Sequence, residues 1–141
     1  GLLSMAVRIQ RSCDNALRLA TALRQHGFVQ NVDYPGLPGH PQHALAAKQL
    51  GGRFGWMLTM ELDPRYGGAD RLFQCLAPEI LFAPSLGDVV TTVSHPFSTS
   101  HRSMPAEQRR KLGITPDTIR ISCGLEPSDW LVRRFTRALD G

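Results

Sequence analysis

Arg120 stands in the run Thr118-Ile119-Arg120-Ile121-Ser122-Cys123-Gly124, where apolar and polar residues alternate. On an extended strand that alternation puts Arg120 on one face with Ser122 and Gly124. A guanidinium on an otherwise apolar strand needs a partner, and its planar fork suits a carboxylate in two-point contact. Two partners fit equally well: a carboxylate ligand, or an acid of the chain itself such as Glu126. Ser85-Leu86-Gly87-Asp88 is a turn of small residues between two β-like runs. Gly87 permits backbone geometry that other residues resist, and Ser85 with its neighbouring N–H groups offers donors to an anion. On spacing alone, a purely structural turn is the better reading of this segment. His95 and His101 bracket the hydroxyls of Ser98, Thr99 and Ser100, while His40 and His43 have the spacing to share a helix face. Neither pair has a third ligand at a zinc-like spacing, so no metal site is expected. Cys13, Cys75 and Cys123 are far apart and odd in number, which fits reduced, mostly buried thiols rather than a disulfide framework.

The elements that must carry these residues follow from periodicity. Residues 6–26 place Val7, Ile9, Leu17, Leu19, Ala20 and Leu23 near helical spacing, and Gly27 closes the run. Val29 to Val32 is extended and leads into the turn-rich Tyr34-Pro35-Gly36-Leu37-Pro38-Gly39. A helix is expected from His40 to Leu50, stopped by Gly51-Gly52, then a strand from Phe54 to Leu62, ended by Asp63-Pro64. A short helix over 67–77 follows, then β-like runs at Ile80 to Ala83 and Val89 to Ser94. Pro105 to Leu112 reads as a polar helix with proline in its first turn. Thr118 to Cys123 is a strand, and Pro127 to Leu139 a last helix with Trp130, Leu131, Phe135, Ala138 and Leu139 on one face. Helices and strands mix without a repeat. The expectation is an α/β (α+β) two-layer sandwich, a small and mainly antiparallel sheet with helices packed on it.

Bulk properties narrow the class. The 141 residues suffice for one domain with a core, and 42% hydrophobic content argues against disorder. No apolar run reaches the roughly 20 residues of a membrane helix, and the first residues lack signal-peptide layout. A soluble, cytoplasmic protein is the expectation. Net charge is +4, but the basic residues are spread over several helix faces with no aromatic interleaving, so nucleic acid is not an expected partner. Of sixteen basic residues only Lys48 and Lys111 are lysines.

Taken together, the segments resemble the cysteine and methionine metabolism (trans-sulfuration) family of fold-type-I pyridoxal-phosphate enzymes. That family contains cystathionine synthases and lyases, methionine γ-lyase and homoserine-ester sulfhydrylases. Gly1-Leu2 with Val7-Arg8 looks like the start of its C-terminal domain. Tyr34-Pro35-Gly36-Leu37 followed by His40-Pro41-Gln42-His43 is similar to its "YPGL…HPQH" loop. Ser85-Leu86-Gly87-Asp88 matches "SLGG/SLGD", and His95-Pro96 with Thr99, Ser100 and His101 matches "HPAS(M/T)TH". Gly113-Ile114, Ile119-Arg120-Ile121-Ser122 and Gly124-Leu125-Glu126 parallel "GI…(I/L)R(L/I)SVGIE". The likeness runs along almost the whole chain.

The resemblance implies that residues 1–141 form a single C-terminal substrate-binding domain. It implies that Arg120 holds the substrate α-carboxylate, with Ser85 and Leu86 lining the same pocket and Ser100 at its rim. Pyridoxal phosphate is the cofactor of the parent enzyme. The chain lacks the family's Schiff-base lysine motif, since neither Lys48 nor Lys111 matches it, and it lacks the cofactor-phosphate loop. No catalytic residue is therefore assigned, and the chain alone is expected neither to hold the cofactor nor to catalyse. Its expected partners are an amino-acid substrate and a lysine-bearing large domain, within a homo-oligomeric parent. Such a fragment of a carbon–sulfur lyase or γ-replacement enzyme should expose an apolar face where the large domain sits. The alternative is a natural stand-alone domain that partners a separate lysine-bearing chain. Pro84 stands where cystathionine-processing members carry Glu, which leans the parent toward a methionine γ-lyase or a sulfhydrylase.

Overall fold

A five-stranded sheet with one apolar side forms the centre of the structure, a computed structural model that describes all residues, 1–141. The strands are β1 (Val29–Asp33), β2 (Met57–Leu62), β3 (Leu81–Phe82), β4 (Thr92–Ser94) and β5 (Thr118–Ser122). They make one sheet in the order β1-β2-β5-β4-β3. All pairs are antiparallel except β3–β4, which is parallel. Period two divides the residues cleanly. Leu58 faces Ile121 and Met60 faces Ile119 across β2–β5, and Val93 faces Ile121 across β4–β5. All five are buried in the core. The intervening residues, Thr59 opposite Arg120 and Ser94 opposite Arg120, belong to the other face.

The helices are α1 (Leu2–Arg24), α2 (His43–Leu50), α3 (Ala69–Leu76), α4 (Ala106–Lys111) and α5 (Ser128–Asp140). Three of them close the apolar side of the sheet. The second half of α1 contributes Ala16, Leu19, Ala20 and Leu23, α3 contributes Leu72 and Leu76, and α5 contributes Leu131, Phe135, Ala138 and Leu139. Helices α2 and α4 bury no residue and lie at the periphery. The result is a helix layer on one face of a mixed, mainly antiparallel sheet, the α/β two-layer arrangement expected from the sequence. No helix is long and apolar enough to cross a membrane.

Several boundaries shift for local reasons. The helix expected over 67–77 starts at Ala69, because Gly67 and Gly68 both have φ near +100°, which a helix cannot use. Residues Pro64–Tyr66 instead form a 3-10 turn, with the Asp63 carboxylate accepting the Arg65 backbone N–H at 2.9 Å. The strand expected from Phe54 begins at Met57, after Gly55 at φ +87°. The run Val89 to Ser94 pairs only from Thr92, because the Val89 carbonyl and the Thr91 N–H bond to the 125–126 segment. The helix expected from His40 starts at His43, after successive turns through residues 34–43. Cys13 and Cys123 are buried, and burial pushes both thiols up.

Candidate functional site

The polar face of the sheet is the place to look for chemistry, because its side chains are not consumed by the core. Arg120 sits at mid-strand on that face, half-buried, between Thr59 on β2 and Ser94 on β4. Its Nε donates to Ser94 Oγ at 3.1 Å. No carboxylate comes within ion-pair distance of the guanidinium. Glu126, the acid that competed for Arg120 on sequence grounds, is engaged elsewhere. Its carboxylate accepts from the Thr91 N–H and, at 2.7 Å, from Thr91 Oγ1. The terminal nitrogens of Arg120 are therefore not spent on an internal acid.

A cleft of about 360 Å³ opens beside Arg120, toward the Thr118 end of β5, and its walls include Asp33, Thr59, Glu61, Pro96 and His101. Glu61 accepts from Thr115 Oγ1 at 3.2 Å, and Asp33 contacts His40 Nε2 at 2.7 Å. The cleft thus combines one unpaired cation with two carboxylates held in place by hydrogen bonds.

The turn carrying Ser85 and Leu86 lies at the other end of the same row. The Gly87 N–H donates to Ser122 Oγ at 3.1 Å, and the Ser85 carbonyl accepts from Thr92 Oγ1 at 3.3 Å. Thr92 and Ser122 are a cross-strand pair, one step along from the Ser94–Arg120 pair. The turn is therefore pinned to the face that carries Arg120, with Ser85 and Leu86 exposed. Neither residue lines the cleft. Ser100 is exposed and does not line it either; its hydroxyl contacts His101 Nδ1 at 2.9 Å, and His101 does. Arg120 thus stands between the turn on one side and the cleft on the other. Sequence reasoning missed Ser94, Thr59, Glu61 and His101 as its neighbours. The hydroxyls at alternating positions 92 and 94, and 59 with Glu61, were the available signal.

The histidines have other partners. His43 Nδ1 meets the Pro35 carbonyl at 2.8 Å and its ring stacks on Phe54. His95 bridges Ser98 Oγ at 2.8 Å and the Pro116 carbonyl at 2.7 Å. Lys48 is exposed on α2, and Lys111 is exposed on α4, 3.7 Å from Glu107. Neither lysine is among the residues around Arg120. The cleft beside Arg120 is lined by no lysine amine.

The same α/β arrangement recurs within larger solved proteins. The fold superimposes with a TM-score of 0.89 on a protein described as an O-acetylhomoserine (thiol)-lyase from Campylobacter jejuni, solved with an N'-pyridoxyl-lysine-5'-monophosphate; identity is 34%, covering 98% of this chain and 32% of that one. A cystathionine γ-lyase from Micromonospora echinospora gives a TM-score of 0.86 at 33% identity, covering 98% of this chain and 35% of its own. The model of the Cys/Met metabolism PLP-dependent enzyme family matches residues 1–140, and the chain belongs to that family. Among curated relatives, a cystathionine β-lyase of Coxiella burnetii is 41% identical over 89% of this chain and 32% of its own length. An O-succinylhomoserine sulfhydrylase of Mycobacterium tuberculosis is 40% identical over 99% of this chain and 35% of its own. The chain spans about a third of the length of these relatives. The family is pyridoxal-phosphate-dependent, and its members include both lyases and sulfhydrylases of sulfur amino acids.

Proposed function

We propose that this chain is the C-terminal, carboxylate-binding domain of a pyridoxal-phosphate-dependent carbon–sulfur lyase or γ-replacement enzyme, with Arg120 gripping the α-carboxylate of the amino-acid substrate. One observation carries the reading. Arg120 is fixed through Nε by Ser94, has no acid of its own, and faces a cleft. A guanidinium held at Nε keeps its terminal N–H groups for a second, planar acceptor, which is the geometry a carboxylate provides. Holding the reactant in one orientation is how such a residue accelerates chemistry that occurs elsewhere on the molecule. In this reading Ser85 and Leu86 meet the substrate from the Ser122 end of the row, outside the cleft itself, and Ser100 supports the rim through His101. Lys48 and Lys111 take no part, so the amine that holds the cofactor comes from outside residues 1–141. Pro84, where cystathionine-processing members carry Glu, leans the parent toward a methionine γ-lyase or a sulfhydrylase.

The test uses the chain itself. The Nε–H resonance of Arg120 is followed while L-methionine is added, and again with L-methioninamide, which lacks the carboxylate. The resonance shifts with methionine and not with the amide, and the response is lost in Arg120→Lys. Equal shifts with both compounds would falsify the assignment.

A further inference from the structure

The turn that carries Ser85 and Leu86 has no core of its own. Every residue from Pro84 to Val90 is exposed. Backbone bonds hold the segment at its ends, from the Ala83 N–H to the Val93 carbonyl at 2.9 Å and from the Leu125 N–H to the Val89 carbonyl at 2.8 Å. Between those ends, two hydroxyls reach it from the sheet. Ser122 Oγ accepts from the Gly87 N–H at 3.1 Å, and Thr92 Oγ1 donates to the Ser85 carbonyl at 3.3 Å. The indole of Trp56 also lies against Gly87, where an added Cβ would stand 3.6–3.8 Å from the ring. Ser122 and Thr92 face each other across β4–β5, and the next pair on that face is Arg120 with Ser94. The two pairs divide the labour: Ser94 fixes the guanidinium, while Thr92 and Ser122 fix the turn. Ser122 and Thr92 are each 3% exposed. Their hydroxyls lie beyond a ligand's reach and act on the chain itself.

We propose that Ser122 and Thr92 are positioning residues for the substrate side chain: they hold Ser85 and Leu86 at one fixed offset from Arg120. The proposal rests on reading Arg120 as the carboxylate grip. Two residues along a strand span about 7 Å, comparable to the length of an extended amino-acid side chain. A ligand gripped at Arg120 by its carboxylate therefore meets the turn with its side chain. A segment with no buried residue shifts when one of its few bonds is lost, because no packing holds it in place. The guanidinium does not shift with it, since its own tether comes from Ser94. Fixing the turn before the ligand arrives removes an ordering cost from binding. The consequence is a split. Loss of either hydroxyl weakens ligands that reach the turn and spares a bare carboxylate, whereas loss of the Ser94 hydroxyl weakens both.

The experiment follows the Arg120 Nε–H resonance of the full chain as L-methionine or acetate is added, in the native protein, in Ser122→Ala and in Thr92→Val. The affinity for L-methionine falls roughly fivefold in each variant, the loss of one hydrogen bond, while that for acetate stays within about twofold. Thr92→Ser, which keeps the hydroxyl, restores L-methionine binding. A second arm needs no ligand. The Gly87 amide exchanges its hydrogen roughly fivefold faster in Ser122→Ala, while the amides of β5 keep their native rates. Equal losses for acetate and L-methionine would place the two hydroxyls behind Arg120 itself and overturn the proposal. An unchanged L-methionine affinity, an unchanged Gly87 exchange rate, or a failure of Thr92→Ser to restore binding overturns it as well. The grip is judged separately, in the native chain. If the Arg120 resonance there ignores both carboxylates, the reading of Arg120 falls first and the proposal with it.

Discussion

Arg120 is held by a neighbour that came from a different strand, and this dependence can be measured. Ser94 Oγ is the acceptor that fixes Nε. Ser94→Ala removes an orienting bond of about 1 kcal/mol, so the affinity for L-methionine falls roughly fivefold while the Arg120 Nε–H resonance still responds. An unchanged affinity would show that Arg120 orients itself. At the same scale, Tyr66 is fully buried and its hydroxyl donates to the Ala138 carbonyl at 2.8 Å. Burial pushes its phenol up to about 12 from 10. The unfolded tyrosine loses its proton near pH 10 while the folded one keeps it, so the unfolded state binds fewer protons and stability falls as pH rises from 10 toward 12. Urea midpoints at pH 8 and 10.5 should fall more for the native chain than for Tyr66→Phe, and equal falls would sink the assignment. Arg120 was legible in the sequence because alternation alone put it on the face opposite Ile119 and Ile121. Ser94 was not, because β4 is only three residues long and too short to display a period. His101 enters the sequence reading as a rejected metal ligand and as part of a family motif, and its place in the cleft depends on a chain reversal over 95–101 that composition does not specify.

At the scale of elements, two glycines fix how the turn meets the sheet. Gly87 has φ +68°, which costs a side-chain-bearing residue about 1–2 kcal/mol. Gly124 is tighter still: a Cβ there would lie 2.5 Å from the Val89 carbonyl oxygen and 2.7 Å from the Thr91 nitrogen, both backbone atoms. Gly124→Ala should therefore destabilise the chain by about 1–3 kcal/mol, more than Gly87→Ala, by denaturant titration. The reverse order would mean that the 89–91 segment yields easily. The helices and the three central strands were readable because long amphipathic runs and strict alternation survive in any environment. The errors fell at glycines, at the turns over 34–43 and at residues 89–91. There a bond to a remote segment, Thr91 to Glu126, outweighed a local β pattern.

On the proposed reading, the molecule as a whole carries a substrate grip without the group that grip serves. Lys48 and Lys111 are both exposed and remote from the Arg120 cleft. Adding pyridoxal phosphate to the chain should therefore produce no visible band of a lysine-bound pyridoxal that Lys48→Ala removes; such a band would mean that the chain holds its own cofactor. The membership in the family was readable from short motifs in order. Helix α1 joins the two halves of this picture. Its 23 residues run without interruption from an exposed apolar end to Ala16, Leu19 and Leu23 in the core. A continuous helix of that length is a stiff rod of about 35 Å. Whatever takes hold of its apolar end also sets the angle of the sheet behind it. On the proposed reading, the alignment of Arg120 with an amine outside this chain is then a matter of leverage, fixed by one rigid beam rather than by a flexible tether.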